Sequence, residues 1–194
     1  MREYFQSILQ TVQASVESMD NAQFARLAEM CRQTLDAGHK LIVSGLGKNV
    51  SVCEKFVGTM NSLGMRACFM NTNSAVHGDL GMVEQGDLVI LLTKSGETVE
   101  SVYLTSLLKR RDVTIWLLSF REESTLSREI QNRLILKLAH EGDPWNIVPN
   151  NSTTVNLIVL QGLAMTLAGQ RGITLEQFKR NHPGGFIGEQ LKNA

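Results

Sequence analysis

The chain has 194 residues, 43% of them hydrophobic, with 19 basic and 19 acidic side chains that cancel to a formal net charge of zero. Charges of both signs are interspersed, so nothing grips a nucleic-acid backbone or an anionic membrane surface, and neither is an expected partner. Three cysteines, Cys31, Cys53 and Cys68, show neither CxxC nor CxxH spacing, which excludes a disulfide framework or thiolate metal site and leaves them as small core residues of a reducing compartment.

Phe5, Ile8, Leu9 and Val12 repeat at helical spacing, and Phe24, Leu27, Ala28, Cys31 and Leu35 do so again until Gly38, predicting two opening helices. Residues 1–18 carry Arg2, Glu3 and Glu17 among apolar positions, unlike the basic-then-apolar layout of a signal peptide, so a cytoplasmic location is expected. Short apolar runs of strand length follow at 40–44, 66–70, 88–92, 113–118 and 133–138. Helical spacing fills the stretches between them, at 50–63, 99–109 and 125–130. Strands alternating with helices imply right-handed crossovers, so the expected architecture is one α/β domain spanning 1–194, a three-layer αβα sandwich on a five-stranded parallel sheet. The segment 154–168 is apolar nearly all round, which predicts a helix covered on every side, preferably by another copy of the chain. It includes too many polar residues in its surroundings, among them Asn150, Asn151, Asn156 and Gln161, to read as a membrane span.

Ligands of such sheets bind beyond the carboxyl ends of the strands, where five loops carry chemistry-bearing residues. In the first, Ser44, Gly45, Gly47, Lys48 and Asn49 combine glycines, a helix start and a cation, a phosphate contact or simply a tight turn. It matches neither GxGxxG nor a Walker loop, which disfavours a nucleotide-binding Rossmann protein. The second offers hydroxyls on Thr93, Ser95 and Thr98 beside helix N–H groups, with Glu97 and Glu100 three apart; an ordinary helix cap is the other reading. In the third, His77 lies between Val76 and Gly78 with Asp79 close by, either an acid or base at neutral pH or a local structural bond. The fourth runs from Glu141 through Pro149 to Ser152 and Thr153 at a helix start, with Glu141 either catalytic or a solvated surface acid. The last, His182 before Pro183, Gly184 and Gly185, is a turn able to aim an imidazole.

Taken in order, Gly45-x-Gly47-Lys48, His77-Gly78-Asp79-Leu80-Gly81-Met82, Ser95-Gly96-Glu97 with Glu100, Pro149 to Ser152-Thr153, and His182-Pro183-Gly184-Gly185 with Gly188 and Leu191 resemble the sugar isomerase (SIS) domain family. Within it they resemble the arabinose 5-phosphate isomerases. The resemblance implies a flavodoxin-like sheet, the interconversion of D-arabinose 5-phosphate and D-ribulose 5-phosphate for Kdo synthesis, and a homotetramer with shared active sites. Its small-molecule partner is then a sugar phosphate, with no cofactor and no metal. Members often continue into a pair of CBS domains, and a short form lacking them is expected here. Asn49 stands where the family usually has serine, and Asn150-Asn151 where it usually has threonines.

Aldose–ketose isomerisation needs a base beside the carbonyl and a cation for the enediolate. Under the resemblance, Glu141 shuttles the proton between C1 and C2, while His182 and either Glu100 or Glu97 handle oxygen protons and ring opening. Lys48 stabilises the enediolate and His77 positions the sugar. Ser95, Thr98, Ser152, Thr153 and the backbone from Ser44 to Gly47 take the phosphate, with Thr93 and Asn49 beside them. The alternatives are an isomerase of hexulose or heptose phosphates, and a catalytically silent sugar-phosphate sensor.

Overall fold

Fully apolar strand runs have no face to give to water, so they must form a sheet covered on both sides. The computed structural model describes residues 2–191 and contains that sheet. Strands β1 (Leu41–Gly45), β2 (Ala67–Asn71), β3 (Leu88–Leu92), β4 (Thr114–Ser119) and β5 (Arg133–Ile135) are all parallel, in the order β2-β1-β3-β4-β5. Every residue of β1 and β3 is buried. The helices are α1 (Arg2–Glu17), α2 (Asn21–Asp36), α3 (Asn49–Ser62), α4 (Val99–Leu108), α5 (Thr125–Glu129), α6 (Asn151–Gln170), α7 (Leu175–Arg180) and α8 (Gly185–Leu191).

Alternation along the strands sorts the core into two halves. Leu41, Val43, Ile90, Leu92, Trp116 and Leu118 pack on α1, α2, α3 and α6, through Val12, Leu27, Phe56, Leu160 and Leu163 among others. Ile42, Val89, Leu91 and Leu117 point the other way, onto Leu104 and Leu108 of α4 and Leu126 of α5. The α/β expectation, with its five parallel strands and opening helices, is therefore met.

Three details differ from the sequence reading. The run at 133–138 pairs as a strand only to Ile135; the Leu136 N–H still reaches the Ser119 carbonyl of β4, and on the open edge the Lys137 N–H donates to Ser18 Oγ in the α1–α2 turn. Helix α6 starts at Asn151, ahead of its apolar run, and is apolar enough to cross a membrane by length and composition. Its Val155, Leu160, Leu163, Ala164 and Leu167 are wholly buried in the first half of the core, whereas Ile158 and Met165 face outward. Helix α8 forms after Pro183-Gly184, where glycines at 184, 185 and 188 hide its helical pattern.

Strand order reverses between β1 and β3, since β1 connects outward to β2 and β3 outward to β4. A crevice opens at such a point, at the carboxyl ends of the two strands. Gly45, the last residue of β1, lets α3 approach: a Cβ there would stand 2.9 Å from Asn49 Cβ and 3.2 Å from Cys53 Sγ. Gly45→Ala should push the first turn of α3 off the sheet and lower unfolding stability by about 1–3 kcal/mol. Urea denaturation checks this, and an unchanged midpoint would show that α3 is not seated through Gly45.

Candidate active site

A cavity of about 210 Å³ occupies the β1/β3 crevice. Its walls are the first loop with Gly47, Lys48 and Asn49, the second with Thr93, Lys94, Ser95 and Thr98, and Ser152, Thr153 and Asn156 from α6. Gly47 takes a φ of 56°, which lets the chain turn sharply into α3. In the second loop Thr93 Oγ1 accepts from the Gly96 N–H at 3.2 Å and Ser95 Oγ from the Glu97 N–H at 3.2 Å. Neither the Lys48 cap of α3 nor the Thr98 cap of α4 makes a side-chain capping bond. Two positive helix ends at the cavity wall thus lack a side-chain anion, although the Asn49 and Val50 amides of α3 donate to the Leu46 and Gly47 carbonyls, and Lys48 is exposed beside them.

The α6 end is different. Asn150 makes no cap with its own side chain, and Glu141, nine residues earlier, supplies the acceptor. Its carboxylate is fully buried. Oε2 accepts from Ser152 N at 2.9 Å and Asn150 N at 3.1 Å. Oε1 accepts from Ser152 Oγ at 2.7 Å and forms a 2.7 Å ion pair with Lys94 Nζ. Burial pushes the Glu141 carboxyl up, but Lys94, the Ser152 and Asn150 amides and the Ser152 hydroxyl together hold it below the usual carboxylate range.

The Glu141 backbone is as tightly held. Its N–H donates to Asn146 Oδ1 at 2.7 Å, and its carbonyl accepts from Asn150 Nδ2 at 3.2 Å. Asn151 Nδ2 reaches the His140 carbonyl at 3.1 Å. Asn150 and Asn151 therefore stitch the Glu141 segment to α6 through their side-chain amides. Asn49 likewise accepts through Oδ1 from Asn156 Nδ2 at 3.0 Å, across the cavity floor.

The remaining candidates lie elsewhere in the chain. Ser44 is buried in β1, bonded to Thr72 Oγ1 at 3.0 Å, so only the backbone beyond it borders the cavity. His77 is exposed on a 3-10 turn (Ala75–His77), and the nearby Asp79 bonds Ser74 Oγ. Glu97 accepts from the Thr125 N–H at 2.8 Å, capping α5, and that contact holds its carboxyl below the usual range. Glu100 is exposed on the first turn of α4, outside the cavity lining. His182 has both ring nitrogens engaged, Nδ1 with the Phe178 carbonyl at 2.9 Å and Nε2 with Ser62 Oγ at 3.3 Å. Ser62 ends α3, and 14 helical residues put it roughly 20 Å from Asn49. Among the described residues no group of three or more His, Cys, Asp or Glu is placed to hold a metal ion.

Three polar cavity residues, Lys94, Ser101 and Asn156, escaped the sequence reading. Lys94 stands between Thr93 and Ser95, but its role depends on Glu141, far along the chain. Asn156 lies one helical turn past Ser152, a spacing that puts both on one face of α6.

A model of the SIS domain matches residues 35–166. The chain belongs to the SIS domain family. The matched span takes in all three walls of the cavity. Among curated relatives of this SIS-domain chain, arabinose 5-phosphate isomerase KdsD of Shigella flexneri is 37% identical over 161 residues, covering 83% of this chain and 49% of that protein. Its counterpart from Yersinia pestis is 33% identical over 178 residues, covering 92% and 53%. The chain thus spans about half the length of the curated relatives it matches. A solved E. coli structure in complex with arabinose 5-phosphate shares the fold at a TM-score of 0.87 and 28% identity, covering 94% of this chain and 95% of that one.

Glu141→Gln would turn an amide NH2 toward donors that need an acceptor, at a cost of about 1–3 kcal/mol in urea at neutral pH. Because the folded-state carboxyl is held low, its contribution is present above the ordinary glutamate value of about 4.3 and fades as pH falls through the folded value. The stability gap between wild type and variant should narrow on acidification from about pH 5 to 3; a constant gap would contradict the cap.

Proposed function

We propose that this SIS-domain chain interconverts D-arabinose 5-phosphate and D-ribulose 5-phosphate through an enediolate, supplying Kdo synthesis. The observation that carries the reading is a cavity where two uncapped helix ends and Lys48 face Lys94 and Ser152, both bonded to the buried Glu141 carboxylate behind them. That pairing of a fixed proton acceptor with an anion cradle is what a phosphorylated sugar needs. The KdsD relatives and the structural neighbour bound to arabinose 5-phosphate support the choice of sugar.

In this reading the phosphate takes the α4 N-terminus with Ser95 and Thr98, and the α6 hydroxyls of Ser152 and Thr153. Phosphate binding supplies energy remote from the reacting carbons. After ring opening, Glu141 removes the C2 proton of the aldose, and the C–H electron pair passes into the enediolate. Lys48 balances the charge that develops on oxygen. The proton then returns to C1. Glu97 is committed to Thr125, so Glu100 shares the oxygen protons with His182, while His77 positions the sugar.

His182 cannot reach the cavity of its own chain at roughly 20 Å, which supports a homotetramer whose sites are completed by a neighbouring copy. Exposed Tyr4, Phe5 and Leu9 on α1, Met165 on α6, and Trp145 and Ile147 in the loop before α6 support the same assembly. The free thiols Cys31, Cys53 and Cys68 fit the reducing cytoplasm.

Incubation with arabinose 5-phosphate in deuterated water should place label at C2 of the aldose and C1 of the ketose, read by NMR. Binding without exchange would instead support a silent sensor. Lys48→Ala and His182→Ala chains, each inactive alone, should regain activity when co-expressed; continued inactivity of the mixture would argue that His182 serves no neighbouring site.

A further inference from the structure

A carboxylate has about four lone-pair positions, and in Glu141 four donors use them. A base so saturated has nowhere to receive a carbon-bound proton unless one donor leaves. Three cannot easily do so: the Asn150 and Ser152 amides are fixed at the start of α6, and Ser152, which carries the hydroxyl, is only 3% exposed. The fourth is Lys94, on a flexible stem with its side chain 43% exposed. Lys94 lines the active-site cavity and also a second one of about 330 Å³, with Arg121 and His140, so its ammonium has room to move.

Building on the isomerase reading, we propose that Lys94 is a positioning residue that gates Glu141, covering Oε1 until the anionic substrate draws the ammonium away and opens Oε1 to the proton. Glu141 then becomes a stronger base only when a sugar phosphate is in place. Lys94 is the charged group bonded to it. Its α6 partners are neutral, His140 bonds Thr11 Oγ1 of α1 at 3.0 Å, and Asp143 is occupied by the amides of Trp145, Ile147 and Val148. Lys48 and Arg121 border the two cavities from the loops after β1 and β4.

A cation favours the ionised carboxylate, so the acid limb of kcat/KM, which reports the free enzyme, lies at lower pH than the limb of kcat. Lys94→Met should raise the kcat/KM limb by about one pH unit or more, up to that of kcat, while Lys94→Arg keeps them apart. Identical limbs in wild type and Lys94→Met overturn the gate; Lys94→Gln carries the same test if the methionine variant does not fold. Independently of turnover, inorganic phosphate should raise the Glu141 titration midpoint, followed by carboxylate 13C NMR, more in wild type than in Lys94→Met. Equal shifts overturn the gate. A wild type that shows this difference but no isomerisation retains the gate and loses the proposed reaction.

Discussion

The carboxylate of Glu141 ties the carboxyl end of the sheet to the first turn of α6, and the geometry of the cavity depends on that tie. Its acceptors replace the missing local cap of a 20-residue helix, and they do so from inside the protein, where an unpaired amide or an unpaired charge would each be costly. Three of its bonds hold the helix, and the fourth brings Lys94, a cavity-lining residue, onto the same carboxylate. Structural and chemical demands therefore fall on one side chain, and a change there is felt in both.

The surrounding design is an unequal treatment of helix ends. Three of them meet at the crevice where strand order reverses, and only α6 is filled by a protein carboxylate. Those of α3 and α4 keep their partial positive charge for a ligand, and glycines at 45 and 47 bring the backbone close enough to use it. The α6 end, already holding the Glu141 carboxylate, offers an anion its hydroxyls rather than its first amides.

Much of this was legible in the chain itself. Strand-length apolar runs alternating with helical spacing place the sheet and the functional loops, because periodicity is a local signal that burial enforces. The loops around Lys48 and Ser95 are found by residue type at a strand end. Other parts are not local. Lys94 acquires its role from Glu141, and the early start of α6 is set by the same remote acid, so neither shows in a window of neighbouring residues. The chain past the strand at 133–135 is held on its open edge by Ser18, which no pattern near Leu136 reveals. His182 looks like a site residue by its turn, yet it stacks on Phe178 at 3.9 Å between ring centres, on the far end of α3. In the proposed tetramer its place in a site depends on a neighbouring copy, information that one chain's periodicity does not carry.

The most direct test is a crystal structure of the protein with arabinose 5-phosphate bound. The account predicts the phosphate against Ser95, Thr98 and Ser152, with C2 of the sugar within hydrogen-bonding reach of Glu141 Oε1 and Lys94 Nζ turned onto the ligand. A sugar phosphate bound away from the β1/β3 crevice, with the Glu141 carboxylate still enclosed by all four donors, would contradict it.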